Sequence, residues 1–134
     1  RYRFGYFAPE AWYQAVVNQI VDENCRWLDV GGGKTIFPDN RKLSVELAQR
    51  CKHLVGVDPS ETLEQNDLVD ERIQVPIEAY RSDDTFDLAT LRMVAEHIEH
   101  PEQVVQALSR LVENGGFVVI YTPNKWSVSA VLAY

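Results

Sequence analysis

The chain has 134 residues, 46% hydrophobic and 25% charged, a length and composition that suit one ordinary globular domain with a buried core. A formal net charge of -7 excludes a broad nucleic-acid surface, which needs clustered Lys and Arg, and leaves a small molecule or a protein as the ligand. No apolar run approaches the ~20 residues of a membrane span, no signal peptide is visible, and Cys25 and Cys51 offer neither a disulfide framework nor metal-ligand spacing, so a soluble, cytoplasmic chain that does not engage membranes is expected.

The sequence starts at Arg1 and ends at Tyr134 in mid-pattern, so one domain over residues 1–134, truncated at its C-terminus, is expected. Tyr2, Phe4, Tyr6 and Phe7 form an aromatic arm that either packs on the domain or covers a ligand pocket. From Ala8 to Val21, Trp12, Val16, Ile20 and their neighbours recur at helical spacing, and Pro9 sits in a first turn where its missing donor costs nothing. The spacing predicts an amphipathic helix.

Arg26 to Thr35 reads as a short buried strand ended by Gly31, Gly32 and Gly33, a tight turn where backbone approaches a ligand closely. A P-loop needs a glycine five residues before Gly33-Lys34-Thr35, and Leu28 stands there. A dinucleotide fingerprint starting at Gly31 needs a small residue at position 36, and Ile36 stands there. What remains is a carboxylate, Asp29, one residue ahead of the glycines, which suits a cationic ligand and repels a diphosphate.

At this stretch the chain resembles the class I S-adenosylmethionine-dependent methyltransferases, in particular the branch that methylates small molecules. Leu28 to Gly33 match that family's apolar-Asp-apolar-Gly-x-Gly motif, while Thr35 replaces its last glycine. The resemblance extends from about Trp27 to Asn124.

Ile36 to Asn40 is turn-rich, a flap beside the ligand or a plain surface loop, and Leu43, Leu47, Ala48 and Cys51 then share one helical face. His53 to Val57 is a second strand that ends in Asp58 and Pro59. In doubly wound sheets an acidic residue here lies beside the glycine turn and accepts hydrogen bonds from both ribose hydroxyls; a helix N-cap is the competing role for Asp58. Arg72 to Val75 is a third strand. The resemblance then implies Glu78 and the Ala79 backbone beside the adenine amine, with a solvated loop glutamate as the alternative.

Thr85 to Leu91 resembles the family's fourth strand, with Asp87 anchoring its start and Leu91 at the cofactor edge. Glu96-His97-Ile98 and Pro101 also resemble this branch. Pro101 opens a helix through Leu111 whose buried face is Val104, Val105, Leu108 and Leu111. Some relatives carry ExxEH as a metal site, but Met93 occupies the first glutamate position and the HExxH spacing is missing, so no metal is expected. His97 is either a catalytic base or a histidine satisfied near a strand end. Glu113 to Gly116 reads as a turn, Phe117 to Tyr121 as a fifth strand, and Trp126 to Leu132 as the start of a helix or lid beyond Thr122-Pro123-Asn124.

Alternating strands and helices predict an α/β fold: a doubly wound, mostly parallel, Rossmann-like sheet with the site along the carboxyl ends of its strands. The family's sheet has seven strands and five are legible here, so the last two are expected to be lacking. A fifth strand left at the edge favours truncation or pairing with another chain, as in a homo-oligomer. The resemblance implies S-adenosylmethionine as cofactor, S-adenosylhomocysteine as product, and methyl transfer by direct displacement to an oxygen, nitrogen or carbon of a small molecule. The alternatives are a catalytically inactive cofactor-binding or regulatory subunit and a nicotinamide oxidoreductase.

Overall fold

The computed structural model describes residues 9–122. In chain order the elements are α1 (Pro9–Ile20), β1 (Arg26–Val30), α2 (Arg41–Arg50), β2 (His53–Val57), β3 (Glu71–Ile73), β4 (Phe86–Arg92), α3 (Pro101–Leu111) and β5 (Val112–Tyr121), with 3-10 turns at Glu61–Gln65, Ile77–Ala79 and Ala95–His97. All five strands lie in one sheet, ordered β3-β2-β1-β4-β5, and every pairing is parallel.

β1 sits at the centre because both of its faces are apolar. Leu28 and Val30 join the core on one side, with Val104, Ala107, Leu108 and Leu111 of α3. Trp27 joins the core on the other, with Tyr13 and Val17 of α1 and Leu47 of α2. A strand buried on both faces reads as a largely apolar run, here interrupted by the buried Asp29. The chain leaves β1 toward β2 and β3, then returns to the opposite side for β4 and β5, so strand order reverses between β1 and β4. Open parallel sheets bind ligands at the carboxyl ends beside such a reversal.

Several sequence expectations shift in detail. α1 is amphipathic, but its buried line is Tyr13, Gln14 and Val17; Trp12 is 62% exposed and Val16 43% exposed. Aromatic bulk at Trp12 set the expected face, whereas Tyr13 wins the interior by stacking on Tyr121 at 5.3 Å and meeting Phe37 edge-on at 5.9 Å. Residues Ile36 to Asn40 are neither flap nor plain surface loop. Ile36 and Phe37 are fully buried, the Phe37 N–H donates to Ser44 Oγ at 3.1 Å, and Asn40 caps α2 by accepting from the Leu43 N–H at 3.1 Å.

On α3, Val105 is exposed and Ala107 takes its expected place in the core. Residues Glu113 to Gly116 lie within β5 rather than in a turn before it. Val112 pairs with Phe86 and Phe117 with Leu88, so the segment is a wide bulge opposite a single residue of β4. Asp87 anchors its strand as expected, its Oδ2 accepting from the Arg26 N–H at 2.8 Å. Among the described residues β5 is an edge strand, with Phe117, Val118 and Ile120 exposed. Tyr2, Phe4, Tyr6, Phe7, Asn124 and the Trp126 to Leu132 segment lie outside the described residues.

Candidate active site at the carboxyl edge of the sheet

The glycine turn takes its shape from contacts that exclude side chains. Gly31 and Gly33 have φ of +69° and +55°, a region that costs non-glycine residues strain. A Cβ on Gly31 would overlap the Val94 side chain, and one on Gly32 would overlap the Asp29 carboxylate. The turn is therefore pressed against the strand below it and against the residues that follow β4. It is tied to β2 as well: the Gly31 N–H donates to Val57 O, and the Gly33 N–H donates to Asp58 Oδ2, both at 2.8 Å.

Asp58 follows β2 directly and is 8% exposed. Its Oδ1 accepts from the Ser60 N–H at 2.8 Å, while Ser60 itself caps the 3-10 turn that follows. Asp58 is thus no helix cap, and each of its oxygens keeps a lone pair for a ligand hydroxyl.

A cavity of about 430 Å³ opens here. Gly31, Asp58, Pro59, Glu78 and Leu91 line it, as does His97 from the 3-10 turn after β4. Its apolar wall comes from Val30, Val57, Ile77, Val94, Ile98 and Val104. Glu99 and His100 complete the rim, and among the described residues neither Lys nor Arg borders the space. A cavity with apolar walls and the carboxylates Asp58, Glu78 and Glu99 suits a neutral or cationic ligand far better than a diphosphate.

Ala79 is not brought into this cavity. It is exposed, and its N–H donates to Pro76 O at 3.0 Å within the 3-10 turn, so Pro76 and Ile77 take the place expected for it. The His97 side chain is exposed, and its backbone N–H donates to Val94 O at 2.9 Å. Glu96 points elsewhere, accepting from the Thr122 hydroxyl at 2.7 Å. Among the described residues no group of three His, Cys, Asp or Glu side chains is placed to hold a metal ion.

Asp29 lies beneath the turn rather than beside the cavity and is 2% exposed. It faces its register partner Thr90 on β4, whose hydroxyl donates to Asp29 Oδ1 at 2.8 Å; Thr90 in turn accepts from Trp27 Nε1 at 2.8 Å. Burial pushes the Asp29 carboxyl up to about 7, the Thr90 hydrogen bond pulls it down, and Asp58 and Arg92 act in opposite directions. Burial therefore favours the protonated form of this group more than in an exposed aspartate.

Four further residues at this edge escaped the sequence reading. Arg92, ending β4, grips Glu10 of α1 through Nε to Oε1 at 2.6 Å and Nη2 to Oε2 at 3.2 Å. Met93 follows with φ of +56°, the single non-glycine residue in that region among the described residues, and its N–H donates to Tyr121 O at 2.7 Å. Thr90 is the fourth. Its signal was present, as a polar residue in the otherwise apolar Leu88 to Leu91 run; Arg92 and Met93 gave none.

The sequence profile of a methyltransferase-domain family matches residues 4–132. The chain is similar to a ubiquinone biosynthesis O-methyltransferase of Leptothrix cholodnii, 30% identical over 133 residues that take in 91% of this chain and 53% of that protein. It spans about half the length of the curated relatives it matches. Among solved structures it resembles the N-methyltransferase NodS from Bradyrhizobium japonicum WM9 at 14% identity, with a TM-score of 0.67 over 92% of this chain and 79% of that one. The same enzyme in complex with S-adenosyl-L-homocysteine gives a TM-score of 0.65 at 15% identity, over 88% and 64% of the two chains.

Proposed function

The chain belongs to the class I S-adenosylmethionine-dependent methyltransferases, and from that premise we propose that its carboxyl-edge cavity binds S-adenosylmethionine for methyl transfer to a small-molecule acceptor. The observation that carries the reading is the cavity's charge: Asp58, Glu78 and Glu99 border it and, among the described residues, no Lys or Arg does. Such a lining favours a nucleoside bearing a sulfonium and an ammonium over a nicotinamide dinucleotide.

In this reading Asp58 accepts hydrogen bonds from the ribose hydroxyls, with Pro59 beside it. Gly31, Gly32 and Gly33 let the backbone close on the ligand. Glu78 faces the adenine amine, and Ile77, Leu91 and Val94 supply apolar walls for the ring. Asp29 meets the amino-acid end from below the turn. The cofactor, when bound, supplies an activated methyl group whose leaving thioether is neutral. The protein's task is then alignment, and a well-aligned site lowers such a barrier by ~7–11 kcal/mol. His97 reaches the cavity rim and takes a proton where the acceptor has one to lose. The similarity to ubiquinone O-methyltransferases supports an oxygen acceptor on a small molecule. A cytoplasmic setting belongs to the same reading, supported by Cys25 and Cys51 as buried free thiols.

Competition calorimetry between S-adenosylhomocysteine and NADH tests the cavity, and transfer of label from methyl-labelled S-adenosylmethionine into small-molecule extracts tests the activity. Tighter binding of NADH overturns the cofactor reading. Cofactor binding with no labelled product in any extract favours an inactive binding subunit instead.

A further inference from the structure

We propose that Asn66, which does not itself line the cavity, is a positioning residue that fixes Gly33 and, through it, the Asp58 carboxylate that receives the ribose. The inference deepens the cofactor reading above and rests on it.

Asn66 ends the 3-10 turn Glu61–Gln65 and is fully buried. Its Nδ2 donates to Gly33 O at 3.1 Å, and its Oδ1 accepts from the Leu68 N–H at 3.2 Å. A carbonyl only accepts and a backbone N–H only donates, so these two partners leave the side-chain amide a single orientation. The main chain of Asn66 is held as well: its N–H donates to Leu63 O at 3.0 Å, and its carbonyl accepts from Arg72 Nη2. A side chain locked in this way is a fixed point from which the glycine turn is held.

Gly33 needs such a point. It has φ of +55° and no side chain, so its own preferences do not set the direction of its peptide groups. Two side chains set it instead, Asp58 taking the Gly33 N–H and Asn66 the Gly33 carbonyl. Both come from the segment that follows β2, and Thr62 Oγ1 of that segment lies 3.2 Å from where a Cβ on Gly33 would stand. The bonds run both ways through the turn. Asp58 Oδ1 is held by the Ser60 N–H and Oδ2 by the Gly33 N–H. Releasing the Gly33 carbonyl from Asn66 frees rotation about the glycine backbone, and its N–H then no longer keeps Oδ2 in one place.

Asn66→Asp keeps the shape of the side chain and the bond from Leu68 but sets a second acceptor against Gly33 O. Calorimetry of S-adenosylhomocysteine at pH 8, with adenosine and 2′,3′-dideoxyadenosine as competitors, reads the effect. The wild type should prefer adenosine by tenfold or more, because Asp58 accepts from the hydroxyls that the dideoxynucleoside lacks. In Asn66→Asp that preference should fall to about threefold or less, with S-adenosylhomocysteine weakened about tenfold. In an Asp58→Ala background the same substitution should cost less than about twofold further. A fold that is merely loosened weakens both nucleosides alike and adds its loss to that of Asp58→Ala. Arg72→Met, at an exposed position, removes the donor to the Asn66 carbonyl. It should lower the adenosine preference in the same direction, and it carries the comparison if Asn66→Asp does not fold. No adenosine preference in the wild type, an unchanged preference in the folded variant, or losses that add in the Asp58→Ala background overturn the inference while the cofactor reading stands. Failure of the wild type to bind S-adenosylhomocysteine overturns both.

Discussion

The Gly33 N–H donates to Asp58 Oδ2 at 2.8 Å, so one bond holds the turn after β1 to the residue after β2, which lines the cavity. The Asp58 carboxylate is thus already oriented by the glycine turn.

Asp58→Ala should weaken S-adenosylhomocysteine tenfold or more, since a hydrogen bond to a charged acceptor contributes ~1.5–3 kcal/mol and two are lost. Asp58→Asn should lose less, because its amide oxygen still accepts from Gly33. Titration calorimetry giving unchanged affinity for the alanine variant removes Asp58 from the site.

Asp29 makes stability depend on pH. Burial raises its folded value to about 7, well above that of an aspartate in water, so its contribution is fully present below about pH 4 and is lost as pH rises through 7. Asp29→Asn should abolish that loss and melt above the wild type at pH 8, by an amount on the order of a few kcal/mol, while binding S-adenosylhomocysteine more weakly. Urea midpoints at pH 5 and pH 8 check the sign; equal pH dependence in both proteins contradicts it.

Met93 holds a left-handed backbone between the Arg92–Glu10 pair and its own bond to Tyr121 O. Such conformations cost ~1–3 kcal/mol and survive where the surroundings over-determine them. Met93→Asn, a residue at ease in that region, should match or exceed wild-type stability, and Met93→Val should fall below it by about 1–3 kcal/mol. Thermal melts that order the two variants the other way refute the strain.

Glu10 and Arg92 pin α1 to the end of β4, with side chains 16% and 25% exposed. This partial burial and two-point geometry place their coupling above the ~0.2–1 kcal/mol of an exposed pair, at about 1–2 kcal/mol. A double-mutant cycle of Glu10→Gln and Arg92→Gln measures it, and a coupling near zero shows that α1 docks through Tyr13 and Val17 alone.

The local order of the chain was readable because its physics is local. Apolar runs bounded by Gly, Pro and Asp mark β1, β2 and β4, and Pro101 with a 3.6-residue apolar period marks α3. Gly31 to Gly33 and Asp58 stood out as a turn and a strand-end carboxylate whose meeting the alternating topology implies. Boundaries moved where two close solutions competed, as at Trp12 against Tyr13 and at the Glu113 to Gly116 bulge.

What the sequence by itself determined was a parallel α/β sheet with a glycine elbow and a carboxylate on one edge, because hydrophobic period and backbone-permissive residues act over a few neighbours. Only the tertiary structure decided that Asp29 is buried, that it accepts from Thr90, which accepts from Trp27, and that Arg92 is spent on Glu10. Those pairings join residues 61, 63 and 82 positions apart, and their strength comes from exclusion of water in the folded core, which no local pattern encodes.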